Sequence, residues 1–365
     1  MKPEKIGFIG LGLIGGSIAK TIHRIYPEIS LIAYDVDKKA LSLAKKEQVI
    51  STVYDNLTED FASCHYIFLC APVQKNEDFL KKLSSFVGKN CIITDVGSVK
   101  TTIHKKIAST PLAPFFIGGH PMAGSEKSGY KHATPYLLEN AYYILTPTSE
   151  VDWKIVQEFQ QFICSLGSIP IILNYQEHDF ITAAISHLPH ILASGLVNLI
   201  KDLDNQDEIM KRVAAGGFKD ITRIASSSPI MWQQICLTNQ EQILKLIDAF
   251  IASLEQIKTK IASSHENFLL DFFQSAKDYR DSLPLINSVS LPKVYEIYCD
   301  LVDEIGGIAA LAKILATNQI NIKNIGIIHN REFQEGVLHI EFYEEEALQK
   351  SLLLLRKHHY TVYER

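Results

Sequence analysis

The sequence contains few of the residues that mark specialised classes of protein. Six of its 365 residues are cysteines, and none of them stand in a CxxC pair. Scattered cysteines in apolar runs are typical of buried reduced thiols, so we expect neither a disulfide framework nor a cysteine metal site. Basic runs are also missing, and the formal net charge is −5. This balance argues against nucleic acid as the main partner.

Long apolar runs are scarce as well. We find no uninterrupted apolar run of the roughly 18 residues that a membrane-spanning helix needs. The N-terminal stretch MKPEKIGFIG leads directly into a strand pattern, so we expect no signal peptide. We therefore predict a cytoplasmic protein without membrane partners. A length of 365 residues predicts two or three domains.

The first part of the chain alternates short β-branched runs with amphipathic helical stretches. The strand candidates within residues 5–172 are KIGFIG, SLIAYD, YIFLCAP, CIITDV, FFIGG, AYYILTP and SIPIIL. This alternation is typical of parallel βαβ units. We predict an α/β fold, a Rossmann-like doubly wound parallel sheet, over residues 1–173.

The rest of the chain shows two different patterns. Residues 174–285 have long helical periods with too many apolar faces for an exterior coat, which predicts an all-α domain that packs against a second subunit. Residues 286–293, with their prolines and serines, are typical of a linker. Residues 294–365 follow the order βαββαβ, which predicts a small ferredoxin-like α+β domain.

The first predicted strand ends in a GxGxxG motif that opens a helix, formed by Gly10, Leu11, Gly12, Leu13, Ile14 and Gly15. Glycines allow the tight turn and let the helix N-terminus approach a pyrophosphate. Asp35 ends the second strand about 20 residues later, where a carboxylate accepts hydrogen bonds from ribose hydroxyls and repels a 2′-phosphate. We predict NAD as cofactor, with Ala71 and Pro72 as further contacts. Lys38 and Lys39 are the residues that would favour NADP.

Two polar stretches follow predicted strands, at the sheet edge where α/β proteins bind ligands. They are TDVGSVK (94–100) and GGHPMAGSEKSGY (118–130), and the second is too polar and glycine-rich for a strand. Hydride transfer from an alcohol needs a base, and neutral histidine is the usual choice near neutral pH. His120 is the candidate base, with a serine hydroxyl as its orienting partner, although a structural histidine fits the pattern too.

Five motifs follow GxGxxG in the order TDVGSVK, GGHPMAGSEKSG, EHDFITAAISHLPH, GGFKDITRIASSSPIMW and FFQSAKDYRDSL. Together they resemble the prephenate dehydrogenase family of tyrosine biosynthesis, over residues 5–283. The tail resembles an ACT domain, a small-molecule-sensing module. The resemblance implies transfer of the C4 hydride of prephenate to NAD while the ring carboxylate leaves as CO2, giving 4-hydroxyphenylpyruvate.

The resemblance also implies roles for individual residues. His120 matches the histidine that accepts the C4 hydroxyl proton, and Ser98 the serine that hydrogen-bonds this histidine and the substrate. Arg223 matches the arginine that holds a substrate carboxylate. Asp95 and Lys100 flank Ser98, and we assign them no role. The resemblance adds to the substrate pocket Ser125, Glu126, His187, His190, Gly216 and Trp232.

Plainer interpretations of these pocket residues stay open. Ser125 and Glu126 also fit a solvated loop, Trp232 fits core packing, and Gly216 fits a helix junction. The spacing of His187 and His190 resembles that of metal ligands, but no third ligand is near, and we predict no metal site.

For the tail, the resemblance implies L-tyrosine as an effector, bound near Gly306, Gly307 and Asn321. Glycines there permit a ligand carboxylate to meet a helix N-terminus. Ile305 stands where proline is usual, so a purely structural module is the alternative.

Three other functions compete with this interpretation. An arogenate dehydrogenase shares the chemistry and meets an amino group where prephenate has a keto group. A β-hydroxyacid dehydrogenase shares the domain order, but a GxxxKxxxN arrangement is missing from the helical segment. A non-catalytic regulator that binds NAD and an amino acid is disfavoured because Ser98, His120 and Arg223 are all present.

Overall fold

The computed structural model describes residues 3–88, 91–124, 127–283, 295–301, 306–328 and 336–364. The chain divides into two compact units, residues 1–269 and residues 270–365. The predicted limits at residues 173 and 285 stay predictions, and the predicted linker at 286–293 lies outside the described residues.

A sheet of parallel strands forms the first layer of the first unit. Its strands are β1 Lys5–Ile9, β2 Ser30–Tyr34, β3 Thr52–Tyr54, β4 Tyr66–Leu69 and β5 Ile92–Asp95, and they lie in the order β3-β2-β1-β4-β5. The helices between them are α1 Leu13–Ile25, α2 Lys38–Lys46 and α3 Val73–Leu83, and α4 Thr101–Ile107 follows β5. The strand order reverses between β1 and β4, which is where such sheets bind ligands. The predicted Rossmann-like sheet is confirmed.

A second sheet departs from the uniformly parallel arrangement that we predicted. Its strands are β6 Ile117–Pro121, β7 Tyr142–Pro147 and β8 Ile169–Ile172, with α5 Trp153–Ser165 between the last two. β6 and β7 run antiparallel, while β7 and β8 are parallel. The described part of the β6–β7 connection holds a short 3-10 turn, Tyr130–His132, rather than a crossover helix. A parallel pair needs such a crossover, so the chain returns antiparallel.

His120 lies within β6, so the prediction that residues 118–130 form a loop was wrong for its first residues. The close packing of this strand requires that Gly119 lack a side chain. A Cβ on Gly119 would lie 2.6 Å from the carbonyl oxygen of Asp95 and 2.9 Å from the ring of Tyr143. The glycines therefore let two backbones approach closely, instead of making the segment flexible.

The remainder of the first unit is helical, as predicted. The helices are α6 Tyr175–Thr182, α7 Leu188–Leu203, α8 Ile209–Val213, α9 Gly216–Thr222, α10 Pro229–Thr238 and α11 Gln240–Ala262, and α12 Glu266–Ser282 crosses into the second unit. Many of their large apolar side chains are exposed, among them Leu199, Leu203, Leu237, Leu244, Ile251 and Leu254. Apolar side chains exposed over several helices mark a surface for association.

A π-helical turn, Ala183–His187, joins α6 to α7 and makes residues 175–203 one continuous helix. By length and composition alone this helix is apolar enough to cross a membrane, with a mean hydropathy of 1.5. The sequence-based expectation missed it because polar residues interrupt the apolar run. The helix also carries the buried polar residues His178 and Asp179. One such helix is weak support for a membrane span, so the cytoplasmic location without membrane partners stays a prediction.

The second unit has the predicted ferredoxin-like topology. Its elements are β9 Tyr295–Leu301, α13 Gly307–Thr317, β10 Ile322–Ile328, β11 Gly336–Phe342, α14 Glu345–Lys357 and β12 Val362–Glu364. The sheet order is β10-β11-β9-β12, and all of its pairs are antiparallel. Gly306 has a φ of 92° just before α13, a conformation that favours glycine. Asn321 is exposed before β10, and Ile305 lies outside the described residues.

The close approach at Gly119 predicts a loss of stability when a side chain is added. Gly119→Ala should lower the free energy of unfolding by about 1–3 kcal/mol, because the neighbouring backbone must move. Gly124→Ala is the matched control, since no atom of the described residues lies within 4 Å of a Cβ placed there. Urea denaturation of both variants measures the difference, and equal stabilities would contradict the steric argument.

Candidate active site

The glycine-rich loop between β1 and α1 is shaped by contacts that leave no space for side chains. Gly10 has a φ of 96°, and a Cβ on it would lie 2.6 Å from the backbone nitrogen of Ala71. A Cβ on Gly15 would lie 2.6 Å from the carbonyl oxygen of Gly10. Gly12, in contrast, has open space around its Cβ position. The loop is thus held by its outer glycines and open at the middle one, as a bound pyrophosphate requires.

Asp35 lies beside this loop at the end of β2. Its carboxylate accepts hydrogen bonds from the N–H groups of Leu11 and Asp37. Each carboxylate oxygen has a further lone pair, so ribose hydroxyls can still donate to it. Lys38, which we considered as a 2′-phosphate ligand, forms an exposed ion pair with Asp55 at 3.0 Å. These contacts fit NAD better than NADP.

The catalytic candidate His120 belongs to a chain of three hydrogen-bonded side chains. Its Nδ1 lies 2.8 Å from Nε2 of His178, and Nδ1 of His178 lies 2.7 Å from Oδ1 of Asp179. Because an ionised carboxylate only accepts, His178 donates from Nδ1 and accepts at Nε2. His120 must then donate from Nδ1, and its Nε2 keeps a free lone pair. This is the arrangement that a general base needs.

The surroundings of His120 keep its ring neutral. Burial lowers the pKa of His120 well below its usual value, and positive charge on His178, Lys100 or His187 would lower it further. Burial likewise lowers the pKa of His187 to about 4, despite the nearby Asp179 carboxylate. At neutral pH both rings are therefore uncharged, and Nε2 of His120 is unprotonated.

Asp179 is the buried carboxylate that orients this chain. It accepts hydrogen bonds from the backbone N–H groups of Lys100 and Thr101, each at 2.7 Å, at the start of α4. Burial raises the pKa of Asp179, but the hydrogen bonds from His178 and from these donors outweigh burial and hold its pKa below the usual range. The charged form is thus the stable one.

Ser98 is half-buried on the loop between β5 and α4. We expected it to orient His120, but no hydrogen bond joins these two described residues. The orienting partner is His178 instead. Ser98 remains placed on a loop at the same sheet edge as His120, since the bridge between Ile93 and Phe116 makes β5 and β6 parallel.

His187 and His190 lie together with Trp232. The Trp232 ring stacks on His190 with centroids 3.5 Å apart and planes 10° apart, and it meets His187 edge to face at 6.0 Å. Nδ2 of Asn239 donates to Nδ1 of His187 at 3.2 Å and to the carbonyl oxygen of Asp179 at 2.8 Å. The proton of His187 is therefore on Nε2, where it can be donated to a ligand. Nε1 of Trp232 is buried without a partner among the described residues.

Among the described residues, the structure does not bring the other predicted substrate residues into contact with the cluster around Trp232. Arg223 is exposed in a 3-10 turn, Arg223–Ser226, which packs against α7. Gly216 is the first residue of α9, which supports its interpretation as a helix junction. Ser125 and Glu126 lie outside the described residues.

The sequence analysis missed His178, Asp179 and Asn239. His178 and Asp179 stand at the start of the quoted motif EHDFITAAISHLPH, which ends with the histidines that we selected. Adjacent histidine and aspartate on the first turn of a predicted helix were an available signal. Asn239 carries no such signal, because its partners are 60 and 52 residues away.

The segment that follows His120 also contacts α1, the helix that opens the dinucleotide site. Tyr130 is buried against Gly16 of α1, and its hydroxyl donates to Glu47 at 2.9 Å. Thr134 donates its N–H to the hydroxyl of Ser17 at 3.1 Å. The chain that follows His120 therefore returns to the helix that opens the dinucleotide site. A dinucleotide loop on one sheet, and a neutral histidine with a free ring nitrogen on a strand bridged to that sheet, are the features of an NAD-dependent dehydrogenase.

Comparison with known proteins identifies the family. The family described as "Prephenate dehydrogenase, nucleotide-binding domain" matches residues 18–169, and "Prephenate dehydrogenase, dimerization domain" matches residues 174–275. Prephenate dehydrogenase of Bacillus subtilis is 39% identical over 94% of this chain and 93% of its own length. That of Lactococcus lactis is 36% identical over 97% and 98%. The chain belongs to the prephenate dehydrogenase family.

Solved structures agree with this assignment. The crystal structure of prephenate dehydrogenase from A. aeolicus with hydroxyphenyl propionate and NAD+ has a TM-score of 0.73 and 31% identity, over 78% of this chain and 99% of that one. The Synechocystis arogenate dehydrogenase structure has a TM-score of 0.70 and 30% identity, over 76% and 99%. The first unit therefore has the fold of both enzymes.

The position of Asp35 predicts the cofactor preference. Asp35→Ala should weaken NAD binding and narrow the preference for NAD over NADP, because the variant lacks the carboxylate that binds ribose and repels a 2′-phosphate. Calorimetric titration with both cofactors measures this change. Lys38→Ala is the control, and its NAD affinity should match that of the parent protein. An unchanged NAD to NADP ratio in Asp35→Ala would contradict the assignment.

Proposed function

We propose that this protein catalyses the NAD-dependent oxidative decarboxylation of prephenate to 4-hydroxyphenylpyruvate in tyrosine biosynthesis. The observation that carries the proposal is the free Nε2 of His120, whose Nδ1 is held by the His178–Asp179 pair. His120 lies on a strand that a parallel bridge joins to the sheet with the dinucleotide loop. Family membership supplies the substrate, since the relatives that cover most of this chain are named prephenate dehydrogenases.

The chemistry asks little of the protein beyond orientation and proton transfer. Bound NAD supplies the acceptor for the hydride at C4 of the substrate. Nε2 of His120 accepts the proton of the C4 hydroxyl, while the electron pair of the bond to the ring carboxylate enters the ring and CO2 leaves. Aromatisation makes this step strongly downhill, so positioning and a polarised hydroxyl are sufficient. The proton then returns to the phenolic oxygen.

The hydrogen-bonded chain behind His120 stabilises the charge that forms on it. When Nε2 is protonated, the ring carries positive charge, and His178 accepts the hydrogen bond from Nδ1 while Asp179 balances the charge. This resembles the role of an orienting carboxylate behind a catalytic histidine in other enzymes. His178 and Asp179 would thus act through His120 rather than on the substrate.

Substrate contacts are assigned by the family resemblance and by the cluster around Trp232. Arg223 would hold a substrate carboxylate, since its guanidinium is exposed and suited to bidentate pairing. His187 can donate from Nε2, and His190 and Trp232 offer a stacked aromatic surface. Ser98 would hydrogen-bond the C4 hydroxyl. Glu126, Ser125 and Gly216 keep their predicted places at the pocket without support from a described contact.

Association and regulation complete the proposal. The exposed apolar side chains of α7, α10 and α11 support a homodimer through the helical segment, which matches the family's dimerization domain.

The second unit would bind L-tyrosine near Gly306, Gly307 and Asn321. The left-handed Gly306 before α13 supports this role, because it is the N-cap of a helix whose N-terminal N–H groups can bind a ligand carboxylate.

The proposal is tested by measuring NADH formation by the purified protein with prephenate and with arogenate, each with and without L-tyrosine. We expect turnover of prephenate and its inhibition by tyrosine. Preference for arogenate would instead assign the amino substrate, with the same chemistry. Absence of NADH with both substrates would contradict the proposed activity.

His120 is predicted to be indispensable for turnover. His120→Asn should lower kcat by about 10²–10⁴-fold, the usual contribution of a general base, because asparagine accepts no proton at this position. NAD affinity should stay unchanged, since no described contact joins His120 to the dinucleotide loop. Steady-state kinetics and calorimetry separate these quantities, and a variant with near-parental kcat would falsify the assigned base.

The lowered pKa of His120 predicts the pH dependence of catalysis. A base with a lowered pKa stays neutral as pH falls, and it is lost only when pH drops below that pKa. kcat/KM should therefore show no decline between pH 8 and about 6.5, the ordinary histidine pKa, and should fall at lower pH. Initial rates across this range measure the acid limb. A midpoint at or above the ordinary value would contradict the neutral-base assignment.

A further inference from the structure

We infer that the buried ion pair between Lys100 and Asp95 is a positioning device for the catalytic residues, which holds the Ser98 loop and the His120 strand in one fixed arrangement. This inference rests on the proposed function, because it concerns the geometry of that same site. Neither residue has a role by family resemblance, and neither is placed in contact with the substrate.

The geometry joins three segments at one ammonium group. Nζ of Lys100 lies 2.5 Å from Oδ2 of Asp95 and 2.6 Å from the carbonyl oxygen of Gly119, the residue directly before His120. Lys100 is 0% exposed and Asp95 is 1% exposed. Water is therefore excluded from the ion pair, and Nζ of Lys100 donates to these two oxygen atoms.

Asp95 completes the connection from its own side. Its Oδ1 accepts from the N–H of Gly119 at 3.3 Å, and its Oδ2 accepts from the N–H of Gly97 at 2.9 Å. Gly119 is therefore held at both its N–H and its carbonyl group. The loop from Asp95 to Lys100, which carries Ser98, is closed by the same pair.

This connection replaces a missing sheet ladder. Between β5 and β6 the described residues show one isolated bridge, from Ile93 to Phe116. Beyond that bridge no backbone ladder sets the position of His120 relative to Ser98. The side chains of Asp95 and Lys100 span this gap, as a pair of strands would otherwise do with backbone groups.

A buried ion pair is not the arrangement that gives a protein its greatest stability. Desolvation offsets much of the attraction, and well-packed apolar residues of similar volume are often as stable. Burial lowers the pKa of Lys100, while the Asp95 carboxylate opposes that change. What the pair adds over apolar residues is directional hydrogen bonding to Gly119 and a positive charge close to His120.

The positive charge of Lys100 acts on His120 together with the other ionisable groups nearby. Among the described residues, the ionisable groups around His120 are His178 and Asp179 on α6, His187 on the π-helical turn, Asp95 at the end of β5 and Lys100 just before α4. A cation at Lys100 opposes protonation of His120, so its removal should make the base easier to protonate.

The test is a double replacement that removes both charges, Asp95→Asn with Lys100→Met, so that no unpaired charge stays buried. We expect kcat for prephenate to fall by about 10²-fold, the cost of a small misplacement of reacting groups. The acid limb of kcat/KM should shift to higher pH, because the Lys100 cation, and not the Asp95 carboxylate, is the charge of this pair that acts on the pKa of His120. NAD affinity should be unchanged, which shows that the dinucleotide site is intact.

Two further variants complete the experiment. Lys350→Met with Glu346→Gln removes an exposed ion pair of α14 and should change neither kcat nor the acid limb. Lys100→Gln keeps a donor for Gly119 without the charge, so its acid limb should shift while its kcat falls less. If the double variant does not fold, the shift of the acid limb in Lys100→Gln tests the inference instead.

An acid limb and kcat equal to those of the parent protein, in a double variant that binds NAD, would overturn the inference. An unshifted acid limb in Lys100→Gln would do the same. Absence of turnover by the parent protein is a separate result, which counts against the proposed function. The two failures are therefore distinguishable.

Discussion

The carboxylate of Asp179 connects the two halves of the catalytic unit. It accepts from the N–H groups of Lys100 and Thr101 at the start of α4, and its other close partner is His178 on its own helix. A buried charge is stable only with such donors, and the positive end of a helix adds to their effect. The helical segment is thereby joined to the loop beside β5. Without this contact the proposed base would lose the carboxylate that sets the hydrogen-bonded chain behind it.

The Asp179 carboxylate determines the tautomer of the proposed base, His120, through His178. Asp179 sets which ring nitrogen of His178 carries the proton, and His178 does the same for His120. Burial keeps the ring neutral, and the ammonium of Lys100 opposes its protonation. The same lysine also holds the backbone directly before His120. Orientation and proton affinity are therefore controlled by one small group of buried residues, and NAD and substrate need only to be placed against it.

Much of the fold follows from local sequence pattern, and the central contacts of the site do not. The GxGxxG turn, the order of strands and helices, and the ferredoxin-like tail are set by periodicity and glycine positions over short stretches. The antiparallel β6–β7 pair was missed because hydrophobic pattern does not report strand direction. The partner of His120 was missed because it lies 58 residues away, and the Asp179 carboxylate that accepts from the backbone N–H of Lys100 is 79 residues away. Such contacts arise only from tertiary packing.

The central claim is that His120 is neutral, with its proton on Nδ1 and a free lone pair on Nε2. The most direct measurement is the side-chain ¹⁵N NMR spectrum of the labelled protein at neutral pH, with His120→Asn used to assign the His120 signals. The account predicts one protonated and one unprotonated nitrogen, with the proton on Nδ1. A charged ring, or a proton on Nε2, would contradict it.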